Sequence, residues 1–198
     1  MAGMDDTAGK RVRSFRVEAV ILRHSEWGEA DRMLTLYARE LGKVRALAKG
    51  VRKLRSRKAG HLEPFAQASL LLARGRDILL VTQADTLAAY SALRDNLMLT
   101  TYAAYVVELL DRFTYEEGEN QALYQLLVDT LSRLETAAQR AAKSEVEEPT
   151  LIGEAELAVR YYEMRLLDLT GFRPQLFQCS GCGKEIQPED QYFSAETG

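Results

Sequence analysis

Several residue types that carry chemistry are scarce in this chain. It has two histidines, two cysteines, one tryptophan and four prolines among 198 residues. Two histidines and no G-x-S-x-G turn argue against a serine hydrolase. The lack of a G-x-x-x-x-G-K-[ST] loop argues against a P-loop ATPase. No apolar run approaches the roughly 20 residues needed to span a bilayer. Met1 to Lys10 is small and polar, without the apolar stretch of a signal peptide. These absences make a cytoplasmic protein the expectation.

What is present is enough apolar material for a real core, 46% of the residues. The net charge of −3 conceals a division. Residues 1–80 hold 17 basic and 9 acidic residues, a net of +8, and residues 81–198 hold 9 and 20, a net of −11. A split this sharp suggests two domains that face different partners.

The hydrophobic pattern divides in nearly the same place. Phe15 to Arg23 is rich in β-branched and apolar residues, Met33 to Tyr37 and Val44 to Lys49 alternate, and Phe65 to Ala73 and Ile78 to Thr82 complete five strands. Turns fall at Trp27-Gly28-Glu29, Leu41-Gly42-Lys43 and Arg74-Gly75-Arg76-Asp77. Five short strands in residues 1–84 suit a small closed barrel, of the OB or the SH3-like kind, and strand counting does not separate the two. From Thr86 onward the spacing becomes helical, with stripes through Leu87 to Phe113, Leu123 to Leu134 and Leu151 to Leu169. The third stripe runs through Leu157, Tyr161, Met164 and Leu167 and is expected to be core. Gly171 followed by Pro174 marks a helix stop. The expected class is therefore α+β: a five-stranded barrel in residues 1–84, then a helical domain in 85–198.

Three constellations could carry chemistry. Lys43, Arg45, Lys49, Arg52, Lys53, Arg55, Arg57 and Lys58 place eight positive charges in sixteen residues with no acid among them. Such a run repels itself unless it is solvated or meets a polyanion, and phosphate backbones supply that charge. Tyr37 and Phe65 flank it and read as barrel core, whereas Trp27, in a turn, is the better candidate for base stacking. The second constellation is Cys179-Ser180-Gly181-Cys182-Gly183-Lys184, a turn that lets two thiolates converge on one metal. With an expected hairpin over Pro188 to Ala195 it reads as part of a zinc ribbon in residues 175–198. It supplies two of four ligands, since His24 and His61 are not spaced to complete the site. The third is Glu26, Glu29 and Asp31, which could hold a divalent metal in a nuclease but reads more simply as turn chemistry.

The stretches Val20 to Tyr37 (VILRHSEWGEADRMLTLY), Glu40 to Gly50 (ELGKVRALAKG), Ser56 to Gly60 (SRKAG), Leu62 to Phe65 (LEPF) and Gly171-Phe172-Arg173-Pro174, in that order ahead of the cysteine pair, resemble the recombination mediator family RecO. The resemblance implies an N-terminal OB-fold, a helical domain and a zinc-binding knuckle on it. It also implies activity without catalysis: binding single- and double-stranded DNA, annealing complementary strands, and helping RecA replace single-strand-binding protein, with RecR as partner, at the nucleoid. Carried onto this chain, the phosphate contacts are Arg39, Lys43, Arg45, Lys49, Arg52, Lys53, Arg55, Arg57 and Lys58. Zinc would be held by Cys179 and Cys182 plus a second pair expected beyond Gly198, so that the sequence reads as a C-terminally truncated member; some members lack the cysteines. The helical half would offer an apolar groove to a partner's peptide tail. Two other readings predict the same basic loop or use the acidic turn: an RNA- or ribosome-associated barrel protein, and a metal-dependent nuclease.

Overall fold

The computed structural model describes residues 14–116, 118–187 and 192–194. The chain divides into two compact units. The first runs to Ala89 and includes Glu116–Glu119, and the second comprises Tyr90–Tyr115 and the residues from Asn120 onward.

The first unit is a closed barrel of β1 (Ser14–Trp27), β2 (Asp31–Ala38), β3 (Gly42–Ala48), β4 (Gln67–Arg74) and β5 (Leu79–Ala88), in the order β1-β2-β3-β5-β4. All neighbours are antiparallel except β3 and β5, which pair in parallel at Ala46–Leu79 and Leu47–Leu80. This is the OB arrangement, and it settles the choice that strand counting leaves open. β1 is long because it serves two partners: its first half pairs with β4 and its second half with β2. A bulge between Ile21 and Arg23 lets the strand bend from one to the other.

Alternation decides what fills the barrel. Val17, Ala19 and Ile21 of β1, Leu34 and Leu36 of β2, Val44, Ala46 and Ala48 of β3, and Leu70 and Leu72 of β4 all belong to one buried cluster. Alanines at 19, 38, 46, 48, 66, 68 and 84 keep the interior narrow enough to close without voids. β5 reaches Ala88, so Thr86 and Leu87 extend a strand and do not open a helix. Leu87 owes its helix-like spacing with Tyr90 and Leu93 to coincidence, and its side chain is exposed.

The second unit is helical: α1 (Ser91–Asp95), α2 (Leu97–Phe113), α3 (Gln121–Ala142) and α4 (Glu148–Leu169). Asn96 and Asn120 cap α2 and α3, their side-chain oxygens accepting from the Leu99 and Leu123 amides at 3.0 and 3.1 Å. Gly171 ends α4 with φ +86°, and the Phe172 amide returns to the Leu167 carbonyl at 2.8 Å. That double reversal is what the Gly171 signal predicts. The α4 core stripe is different from the expected one. Leu157, Tyr161 and Met164 are 72%, 48% and 41% exposed, and the buried face is Leu151, Ala155, Ala158, Val159, Tyr162 and Leu166. α4 carries two apolar stripes, and the one with small residues is the one that lets a neighbouring helix approach closely.

Gly42 begins β3 with φ +67°, and a Cβ there would collide with the carbonyl oxygen of Gly118. Replacing Gly42 with Ala combines that collision with a left-handed backbone cost of about 1–2 kcal/mol. The expected result is a thermal unfolding midpoint several degrees lower by circular dichroism. An unchanged midpoint would mean that the segment around Gly118 moves aside without loss.

Candidate nucleic-acid interface

The basic residues occupy one strand and the loop that leaves it. Val44, Ala46 and Ala48 of β3 point into the barrel, so Arg45 points out and is exposed, opposite Thr35 of β2. Lys43 is half-buried, opposite Tyr37. The chain then runs from Lys49 to Ala66 as turns and one short 3-10 segment, Ala59–His61, before β4 begins.

This loop is fixed at both ends. Val51 and Leu62 insert into the barrel core. The Asp31 carboxylate accepts from the Gly50 amide at 2.7 Å, and the Arg52 amide donates to the Ala30 carbonyl at 2.9 Å. On the far side, the Phe65 amide donates to Ile21 and the Ile21 amide to Ala66, at 2.8 and 3.0 Å. Phe65 holds φ +71° to do so, a conformation a bulky residue rarely adopts. Lys58 ties the middle: its ammonium donates to the carbonyl oxygens of Lys49 at 3.1 Å and Val81 at 3.0 Å. Partial burial draws this ammonium below the ordinary lysine range, and the Asp31 carboxylate works against that shift.

The predicted contact residues therefore fall into two groups. Arg39 pairs with Glu18 at 3.5 Å, Arg52 pairs with Glu26 at 3.1 Å, and Lys58 is bound to backbone carbonyls. Arg45, Lys49, Lys53, Arg55 and Arg57 are exposed and have no ion-pair partner among the described residues. The second group is what an incoming polyanion would meet first.

Two further cations join them. Arg74, which ends β4, and Arg76, in the β4–β5 turn, are exposed and have no ion-pair partner among the described residues. A cavity lined by Leu41, Val44, Arg74, Arg76 and Leu79, and also by the acids Glu40, Asp77 and Glu119, places that turn beside the start of β3. Linear reading takes these two arginines only as hairpin residues. Nothing in the sequence announces the parallel β3–β5 pairing that brings them to the basic strand.

The expectation that Tyr37 and Phe65 are barrel core holds for burial only, since neither belongs to the interior cluster. Phe65 and Tyr37 are buried, although Tyr37 lies on the β2 face opposite Leu36 and Ala38, outside the interior cluster. Burial pushes the Tyr37 phenol up to about 12. Trp27 is 54% exposed at the β1–β2 turn. Of the three acids near that turn, Glu26 is paired and Asp31 holds Gly50, and no group of three metal-ligating side chains forms among the described residues.

The cysteine pair forms a tight knuckle. The Cys179 amide donates to Lys184 and the Gly183 amide to Cys179, both at 2.8 Å, and Gln178 bridges Glu185. The Gly181 and Cys182 amides and the Cys182 thiol face the Cys179 sulfur, which lowers its thiol from the ordinary range. Both thiols are exposed. Such a turn fits two corners of a tetrahedral metal site. No third donor joins it among the described residues, so the donor set is incomplete there. The hairpin expected over Pro188 to Ala195 lies largely outside the described residues.

Comparison with known proteins agrees with this architecture. The family model described as "Recombination protein O N terminal" matches residues 12–90, and "Recombination protein O C terminal" matches 94–197. A protein named DNA repair protein RecO from Dehalococcoides mccartyi is 38% identical over 184 residues, covering 93% of this chain and 67% of the relative. Proteins of the same name from Roseiflexus sp. and Bifidobacterium adolescentis are 40% and 38% identical, with 95% and 93% of this chain and 61% and 70% of the relatives covered. The chain thus spans about two thirds of the length of these relatives. With both family models matched in order across most of the chain, and relatives of that name 38–40% identical, the chain belongs to the RecO family.

Proposed function

We propose that this chain acts in DNA repair as a non-enzymatic mediator that binds single- and double-stranded DNA through the barrel. The observation that carries the reading is the set of exposed, unpaired cations at Arg45, Lys49, Lys53, Arg55 and Arg57 on a loop whose ends are fixed. Cations already compensated by a carboxylate gain little from a phosphate. Uncompensated ones gain counterion release for each phosphate they neutralise.

Annealing follows from the same electrostatics. Two complementary strands repel through their phosphates, and a surface that neutralises both lowers the barrier to base pairing. The loop cations would meet only the phosphate backbone, so sequence preference is not expected. Through its family the chain would work with RecR to help RecA replace single-strand-binding protein. The helical unit offers a protein partner an open groove of about 780 Å³ between α3 and α4, lined by Leu134, Ala137, Leu157 and Tyr161 with Arg133 and Arg140 at its edge. No observation favours catalysis. Incubating the protein with labelled DNA and magnesium should leave the DNA intact, and cleavage lost on changing Glu29 would replace this reading with a nuclease.

Changing Lys53, Arg55 and Arg57 together to Ala should weaken binding to DNA. It should also reduce the slope of log affinity against log salt by about 0.7 per lost contact on single strands and about 0.9 on duplex. A salt slope equal to that of the unaltered protein would show that the loop tip does not touch phosphate.

Lys58→Met is expected to behave differently. It removes two charge-assisted hydrogen bonds that are partly open to water, worth about 1–2 kcal/mol in total after screening. Amide hydrogen exchange across residues 49–61 should accelerate while the salt slope stays nearly constant. A drop in slope as large as that of a tip arginine would instead place the Lys58 ammonium on phosphate.

A further inference from the structure

Trp27 is the only tryptophan in the chain, and it stands where folding gives it little to do. It ends β1, its backbone faces Asp31 across the turn, and Gly28 reverses the chain with φ +57°. An indole is among the largest apolar groups a fold can bury, yet this one is 54% exposed. A single exposed aromatic is ordinary in itself. Its surroundings are what distinguish it.

The turn that carries Trp27 is bonded to the basic loop at three points. Asp31 accepts from the Gly50 amide at 2.7 Å, Ala30 accepts from the Arg52 amide at 2.9 Å, and Glu26 accepts from the Arg52 guanidinium at 3.1 Å. The indole is therefore held at the same end of the barrel as Lys49 and Lys53, the loop residues on either side of those anchors. Charge is arranged unevenly around it. Glu26 is taken up by Arg52, Glu29 two residues after Trp27 repels phosphate from the turn, and the loop attracts it. A strand crossing this end would lay its backbone on the loop and turn its bases toward the indole.

We infer that Trp27 is a base-stacking residue: its indole packs against an unpaired nucleobase of the strand whose phosphates lie on the basic loop, so that the barrel distinguishes single-stranded from duplex nucleic acid. The inference rests on the DNA-binding reading above and adds a discrimination that charge alone does not provide. In a duplex each base is already stacked on its neighbours, so the indole has nothing to accept. On a single strand a base is free, and every base has a π face, which makes the contact tolerant of sequence.

The sole tryptophan is its own reporter. In low salt, oligodeoxythymidylate should quench Trp27 emission saturably. An abasic deoxyribose-phosphate chain of equal length should bind through charge and leave the emission nearly unaltered. Trp27→Ala should lower affinity for oligodeoxythymidylate by about fivefold or more, leave affinity for the abasic chain and for blunt duplex unaltered, and be largely rescued by Trp27→Phe. Equal quenching by the abasic chain, or full oligodeoxythymidylate affinity in Trp27→Ala, would overturn the inference while leaving DNA binding intact. Failure of the unaltered protein to bind any of the three probes would overturn both.

Discussion

Everything that can bind in the barrel depends on holding a self-repelling loop in place. Eight cations between Lys43 and Lys58, with no acid among them, would on their own splay into solvent. The fold opposes this with Val51 and Leu62 buried in the core, with the Asp31 carboxylate on the Gly50 amide, and with the Lys58 ammonium on two carbonyls. Burying two aliphatic side chains stabilises by about 1.5–3 kcal/mol each, of the same order as the screened repulsion summed over the loop's cations. The loop is thus fixed by apolar anchors, backbone bonds and two of its own cations, Arg52 on Glu26 and Lys58 on two carbonyls. That leaves the tip cations uncompensated.

The two units treat charge in opposite ways. In the helical unit Arg112, Arg140, Arg160, Arg165 and Arg173 each lie within ion-pairing distance of a carboxylate. Such exposed pairs add about a few tenths of a kcal/mol apiece to stability. Their larger effect is to leave the helical surface with an excess of acid and with its arginines already occupied. In the barrel the reverse holds, and the arginines and lysines of the loop tip outnumber any acid near them. On the proposed reading a polyanion would be drawn to one unit and turned away from the other, by charge alone.

The sequence discloses this organisation unevenly, and each miss has a physical cause. Strand alternation and glycine turns locate all five strands, because period-two burial is a local property. The extension of β5 to Ala88 escapes, since Leu87, Tyr90 and Leu93 keep helical spacing whether or not a helix forms. α4 misleads in another way. Its large apolar residues, Leu157, Tyr161 and Met164, form the more visible stripe, but close helix packing favours the smaller face through Ala155 and Ala158. Charge, which is read by counting, marks the basic segment but not which of its cations stay unpaired. Arg39, Arg52 and Lys58 look like Lys53 and Arg55 until their partners are known.

That last point bears on how a basic segment should be read. A linear run overcounts, because some of its cations are consumed in building the loop that displays the rest. It also undercounts, because Arg74 and Arg76 reach the start of β3 only through a parallel strand pairing with no local signature. The two errors share an origin: electrostatic work is done by charges that lack a partner in the folded chain, and partnership is a tertiary property. Lys58 shows the trade most directly. By donating its ammonium to the Lys49 and Val81 carbonyls it gives up its own charge to the loop's shape, while Lys53, Arg55 and Arg57 stay exposed and without an ion-pair partner among the described residues.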